Sequence, residues 1–274
     1  THVHIIGEPE RYPLSPERHY TPLPASVSQL QAHLRGQGLE RAVIIQPSVY
    51  GHDNRCLLDA LEAMQGRARG VAVPAPDMPL QTLRAWDACG VRGIRFNLES
   101  AGASAPQALA DDLRLWQDRL AALDWHAQIY APLATVVEAL RLTGPRPHPV
   151  VLDHFALWDD VTGTLAHCRA ALHLLQSGQV YIKLSASYRL ALSAEQLTAL
   201  TQQWLQLQPE RLLWASDWPH TQREAGRHRL QASAYRKISP THLATERERL
   251  LPLAAHRQQV LVDNPARLYR FERL

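Results

Sequence analysis

Two histidines one residue apart open the chain, in His2-Val3-His4. On an extended strand, residues two apart face the same side, so both imidazoles point the same way. An inward-facing pair of this kind can share one metal ion or one anion. A second imidazole follows an apolar run in Leu152-Asp153-His154. A carboxylate stands at the end of another, in Trp214-Ala215-Ser216-Asp217-Trp218-Pro219-His220. A carboxylate beside an apolar strand is costly to bury without partners, so Asp217 predicts them. His2, His4, His154 and Asp217 form one coherent set. It suits a divalent metal, zinc or manganese, held by imidazole nitrogens and a carboxylate oxygen. It suits equally a metal-free acid/base cluster.

A second group suits anion recognition. Arg95 and Asn97 share one side of Gly93-Ile94-Arg95-Phe96-Asn97. A buried arginine at a strand end needs an anion, from the protein or from a substrate carboxylate. Arg189, Tyr20, Ser48, Tyr130 and His220 occupy comparable places after or near apolar runs and are candidate substrate contacts. Tyr50 and Tyr188 read equally as packing, and Lys183 as a structural ion pair.

These residues sit where short apolar runs end. Eight such runs recur: 3–6, 42–46, 70–73, 93–96, 126–130, 150–153, 180–184 and 212–216. Their length and composition fit buried parallel strands. Helical patterns lie between them, over 26–39, 54–64, 80–88, 106–122, 133–140, 161–175 and 194–207, with a last one over 247–261. Ser26 is a candidate cap for the first. Alternation of this kind predicts a parallel α/β fold. Eight units in 274 residues favour a closed (β/α)8 TIM barrel, read as one domain over 1–274. In such a barrel the catalytic residues stand at the carboxyl ends of strands, where the residues above fall. No glycine-rich nucleotide fingerprint follows a strand.

Composition narrows the function further. The 46% hydrophobic content excludes wholesale disorder. A net charge of +3, without a Lys/Arg run, argues against nucleic acid and anionic membrane as partners. No apolar stretch is long enough to span a bilayer. Three scattered cysteines predict no disulfide framework and fit a reducing compartment, and with no signal peptide visible the cytoplasm is expected. The chain opens on Thr1 rather than Met, which points to preceding sequence. Of 14 histidines, those in helical or loop stretches, such as His33, His167, His173, His228 and His256, read as surface or packing residues. The oligomeric state is open.

Taken together, the motifs Thr1-His2-Val3-His4-Ile5-Ile6-Gly7, Gly93-Ile94-Arg95-Phe96-Asn97, Leu152-Asp153-His154, Ser216-Asp217-Trp218-Pro219-His220 and Val262-Asp263-Asn264-Pro265-Ala266-Arg267-Leu268-Tyr269 resemble the amidohydrolase superfamily. The resemblance is to its amidohydrolase-2 branch, and most to the 2-pyrone-4,6-dicarboxylate lactonase group of TIM-barrel hydrolases. It implies a hydrolase that opens a carboxylated lactone. Asp217 would be the base that activates water, His2, His4 and His154 the histidine set, and Arg95 the holder of a substrate carboxylate. The superfamily usually binds divalent metal, while its pyrone lactonase members work without one.

Two departures matter. Gln128 stands where many metal-binding relatives carry histidine, which weakens the case for a tightly bound or binuclear metal. The stretches 98–102 and 155–157 lack the further arginines of the pyrone lactonase pattern, so a carboxylated lactone other than the pyrone dicarboxylate is expected. Other chemistries on the same scaffold are a metal-dependent decarboxylase or amide hydrolase, and a non-catalytic ligand-binding barrel. The segment 221–239, with Arg223, Arg227 and Arg229, is a candidate lid or interface.

Overall fold

The structure, a computed structural model, describes residues 1–99, 105–160 and 165–272. Part of the stretch 98–102 and the start of the helix expected over 161–175 lie outside the described residues. Two strands of two residues, β1 (Thr21–Pro22) and β9 (Ala232–Ser233), pair in parallel. The main sheet has seven strands in sequence order: β2 (Ala42–Ile45), β3 (Ala68–Ala72), β4 (Val91–Asn97), β5 (His126–Tyr130), β6 (Val150–Leu152), β7 (Val180–Leu184) and β8 (Leu212–Trp214). Helices alternate with them: α1 (Val27–Gly36), α2 (Arg55–Ala63), α3 (Leu80–Ala88), α4 (Pro106–Leu123), α5 (Leu133–Thr143), α6 (Ala166–Gln176) and α7 (Ala194–Leu207). The α/β alternation of the sequence is thereby realised. No helix among the described residues is long and apolar enough to cross a membrane.

The chain packs as two compact units, 1–95 with 216–244 and 96–215 with 245–274. In the first, Ser26 caps α1 reciprocally with Gln29, satisfying two backbone donors. On α2, Cys56, Leu57, Ala60 and Leu61 fall at helical spacing and are all buried. Gly70 lets β3 approach that face closely, because a β-carbon there would lie 2.8 Å from Leu61 Cδ1. The opening run is not a continuous strand. Val3 forms parallel bridges to Ile44 and to Trp218, whereas Ile6 pairs antiparallel with Ala25. The segment 221–239 is tied to 16–23 through β1 and β9, by Thr21 Oγ1 donating to the Arg229 carbonyl at 2.8 Å and by Arg229 donating to that of Pro16.

In the second unit, Leu109, Leu113, Trp116, Leu120 and Leu123 make the buried stripe of α4 at steps of three and four. Strands β5 to β8 pair in parallel, each flanked by buried Val, Ile and Leu. Among them lies a buried polar strut. Lys183 Nζ donates to Gln128 Oε1 at 2.7 Å and lies 3.4 Å from Asp153 Oδ1, while Gln128 Nε2 donates to Asp153 Oδ2 at 3.1 Å. Lys183 and Asp153 have no exposed side-chain surface, so each charge relies on the other. The structural reading of Lys183 holds.

The helix expected over 247–261 is instead broken. The observed helices are α8 (Pro240–Leu250), α9 (Ala254–Gln258) and α10 (Asn264–Tyr269), with a π-turn over Gln259–Asp263. Pro252 explains the break, since it has no N–H to donate and its ring obstructs the preceding turn. Arg257 then donates to the carbonyls of Leu251 and Pro252 at 2.9 and 2.7 Å.

Two outcomes test these contacts. Lys183→Met leaves Asp153 buried and uncompensated and lowers stability by about 3–5 kcal/mol in urea denaturation; a loss under about 1 kcal/mol would contradict the strut. His33, stacked on Trp218 with ring centroids 5.8 Å apart, is held by burial at a pKa of about 4. The unfolded chain therefore takes up this proton near pH 6.5 and the folded chain only near 4. Stability must fall as pH drops through that window, and His33→Gln should show a shallower fall in urea midpoint across it.

Candidate active site

The first unit builds a cluster of three ionisable side chains through its backbone. Val3 N–H donates to the Val43 carbonyl at 3.1 Å, and Ile45 N–H to the Val3 carbonyl at 2.8 Å. On the other side, Asp217 N–H donates to the His2 carbonyl at 3.0 Å and His4 N–H to the Trp218 carbonyl at 2.9 Å. Residues 2–4 are thus held between β2 and the segment after β8. The registers place His2, His4 and Asp217 together. His2 Nε2 and His4 Nε2 are 3.2 Å apart, and Asp217 Oδ1 lies 3.7 Å from the first and 3.8 Å from the second. All three residues are buried.

The tautomer of His4 follows from its other nitrogen. Nδ1 lies 2.9 Å from the Ile45 carbonyl, which only accepts, so Nδ1 carries the hydrogen. His4 Nε2 then presents a lone pair to the cluster. Across the 3.2 Å contact His2 Nε2–H is then the donor, and a cation bound at this place would replace that proton. Ligand atoms about 2.0–2.2 Å from a tetrahedral ion stand roughly 3.3–3.6 Å apart. The observed separations of 3.2, 3.7 and 3.8 Å lie close to that range, so the donor set fits one divalent ion. The bond from His4 Nδ1 to a carbonyl is also the outer support that metal-bound imidazoles use.

Around this cluster the backbone is forced into unusual conformations. Asp217 has φ +60° and His220 φ +68°, left-handed values that L-residues adopt at a cost. His220 N–H donates to the Asp217 carbonyl at 2.7 Å, closing a tight turn that sets the direction of the carboxylate. Arg95, also buried, donates from Nη1 to the Gln46 carbonyl at 3.4 Å. Gln46 in turn donates to the Asp53 carbonyl at 2.7 Å, pinning the loop that carries Ser48. Tyr50 is committed to structure, since its hydroxyl accepts from Gly7 N–H at 3.0 Å. Ser48 and Tyr20 are partly exposed in this unit.

The second unit carries the remaining candidates. His154 follows β6 and is buried, with Nδ1 2.9 Å from Ser185 Oγ. Its ring stands edge-on to Tyr130, centroids 5.0 Å apart. His154, Phe155, Ala156 and Leu157 have φ of 52°, 52°, 56° and 48°, four left-handed residues in succession. Each costs roughly 1–2 kcal/mol, so the packing of buried Phe155 and Ala156 must hold the turn in place. Asn97 ends β4 and is partly exposed. Arg189 lies over the Tyr188 ring at 5.5 Å.

Sequence reasoning found the three members of the cluster in the first unit and His154 in the second. It did not find the Ser185 bond to His154. It also had no signal for the left-handed turn, because Phe155-Ala156-Leu157 lacks the glycine or asparagine that usually marks one.

The amidohydrolase family profile matches residues 1–271. A 2-pyrone-4,6-dicarboxylate hydrolase of Comamonas testosteroni is 33% identical, over 98% of this chain and 88% of its own length. A 4-sulfomuconolactone hydrolase of Hydrogenophaga intermedia is 27% identical, over 98% and 87%. Among solved structures, an Acinetobacter baumannii protein described as a 2-pyrone-4,6-dicarboxylic acid hydrolase, with citric acid bound, superposes with a TM-score of 0.82 at 25% identity, covering 98% of each chain. A match over almost the whole length, with a relative one-third identical, means that this chain belongs to the amidohydrolase family.

Proposed function

We propose that this chain is a hydrolase that opens a small carboxylated lactone, working as one (β/α)8 barrel domain. The observation that carries the chemistry is the buried convergence of His2 Nε2, His4 Nε2 and Asp217 Oδ1 within 3.8 Å of one another. Barrel closure is supported by Val3, which bridges Ile44 of β2 and also Trp218, four residues past the end of β8. The lactone class is supported by the two relatives, one named as a hydrolase of a 2-pyrone, which is a cyclic ester, and the other as a 4-sulfomuconolactone hydrolase. The three cysteines are free thiols, which fits the cytoplasm assigned to it here.

In this reading Asp217 accepts a proton from the water that attacks the lactone carbonyl. Its strained turn holds the carboxylate in one direction before substrate arrives. His2, His4 and Asp217 would hold a divalent metal, zinc or manganese, which when bound supplies Lewis acidity at the carbonyl and a more acidic water. His154 steadies the developing oxyanion through Nε2, its Nδ1 being engaged by Ser185. Arg95 takes the substrate carboxylate, and the loop pinned by Gln46 keeps the guanidinium from turning away. Asn97, Tyr130, Arg189, Tyr20, Ser48 and His220 are assigned to the rest of the substrate. Arginines absent from 155–157 favour a substrate with fewer carboxylates than the pyrone dicarboxylate.

A panel of carboxylated lactones with a pH indicator tests the activity, since ring opening releases a proton. Asp217→Asn should lower kcat by about 10²–10⁴-fold while circular dichroism stays that of the parent. Retention of most activity would remove Asp217 from its role. Dialysis against a strong chelator should lower activity, and zinc or manganese should restore it. Full activity in protein shown by elemental analysis to hold no metal would leave the metal-free acid/base cluster as the working form.

A further inference from the structure

Strand β7 ends at Leu184, and the residue after it, Ser185, is buried. Its Oγ lies 2.9 Å from His154 Nδ1, itself on a buried residue. Among the described residues this is the only hydrogen bond of the Ser185 hydroxyl. The imidazole is already located by other means. His154 stands on left-handed backbone in the turn after β6, and the Tyr130 ring meets it edge-on with centroids 5.0 Å apart. Backbone and ring packing set where the imidazole stands. They do not set which of its nitrogens carries the hydrogen.

A neutral imidazole has one N–H and one lone pair, and a serine hydroxyl can meet Nδ1 in two ways. With the hydrogen on Nδ1, Oγ accepts it. The hydroxyl's own hydrogen then lies in a buried place with no acceptor among the described residues. With the hydrogen on Nε2, the hydroxyl donates to the Nδ1 lone pair and its one donor is used. A buried donor left unmade costs more than a spare lone pair on an oxygen that already takes part in a bond. The second arrangement therefore prevails, and His154 carries its hydrogen on Nε2.

His4 is the opposite case. The Ile45 carbonyl can only accept, so His4 keeps its hydrogen on Nδ1 and has the lone pair on Nε2. A carbonyl partner suits an imidazole to ligate a cation, and a donating hydroxyl suits one to give an N–H.

We propose that Ser185 is a positioning residue for the hydrolysis, acting through His154: its hydroxyl donates to His154 Nδ1 and holds the tautomer whose Nε2–H faces the reaction as a hydrogen-bond donor, not as a base or a metal ligand. The catalytic consequence rests on the lactonase reading above, whereas the tautomer stands on the geometry alone. Asp217 takes the proton of the attacking water, and the hydrogen on His154 Nε2 stays on nitrogen while the oxyanion forms and collapses. No bond to Ser185 is made or broken.

Nitrogen-15 NMR of labelled protein tests the tautomer, because ring nitrogens with a hydrogen and with a lone pair resonate far apart. The His154 signals are identified by their loss in His154→Gln. In the parent, Nε2 should carry the hydrogen and Nδ1 the lone pair, and in Ser185→Ala that tautomer should cease to be the only one. On a carboxylated lactone that the parent opens, Ser185→Ala should lower kcat at least about tenfold with KM nearly unchanged, and Ser185→Thr, which keeps the hydroxyl, should recover most of the loss. Thermal midpoints identify a variant that fails to fold; Ser185→Cys, whose thiol donates weakly, then replaces Ser185→Ala. A hydrogen on Nδ1 of His154 in the parent overturns the proposal, as does a parent-like kcat in Ser185→Ala. A parent that opens no lactone overturns the lactonase reading instead, and the tautomer in the parent and in Ser185→Ala still decides for or against Ser185.

Discussion

The double pairing of residues 2–4 is the constraint on which the candidate chemistry depends. A segment of so few residues has little hold of its own, yet its carbonyls and N–H groups are met on both sides, by Val43 and Ile45 and by Asp217 and Trp218. Backbone hydrogen bonds fix register, and register fixes which side chains meet. A slip of one residue would turn Val3 toward Asp217 and send both imidazoles away. The imidazole orientation then follows, because the Ile45 carbonyl that ends the same ladder also claims His4 Nδ1. One set of backbone bonds therefore determines position, direction and tautomer together.

The two units stabilise buried charge in different ways. In the second, Lys183, Gln128 and Asp153 complete one another with protein atoms alone, and Gln128 bridges the pair as donor and as acceptor. Gln128 occupies a strand position where metal-binding relatives were expected to carry histidine. Its amide serves the strut, which gives a physical reason for that departure. In the first unit His2, His4 and Asp217 converge on one buried point, where His2 Nε2–H donates to His4 Nε2 and the same three side chains would hold a cation. A strut of fixed partners makes a scaffold, and groups that can exchange a proton for a cation can take part in a reaction.

Much of this was legible in the chain. Helices α3 and α7 were read to the residue from their apolar periodicity. The His-x-His spacing and the carboxylate at a strand end were visible because their rule is simple alternation. What escaped was decided by packing. The broken final helix turned on how strongly Pro252 would count against a good apolar period. The left-handed turn after β6 uses residues that disfavour it in isolation, and only the burial of Phe155 and Ala156 explains it.

The bridge from Val3 to Trp218 spans almost the full chain, and that has a bearing on how the protein is made. Contacts so distant in sequence cannot form until both partners exist, and they carry a high closure cost in folding. Helices and neighbouring strands can assemble as they are synthesised, whereas His2 and His4 must wait for Asp217. The cluster is therefore among the last things completed. A nascent or truncated chain lacking residues 216–218 would hold the two histidines without the carboxylate, so the cluster is complete only when residues 2–4 and 216–218 have met.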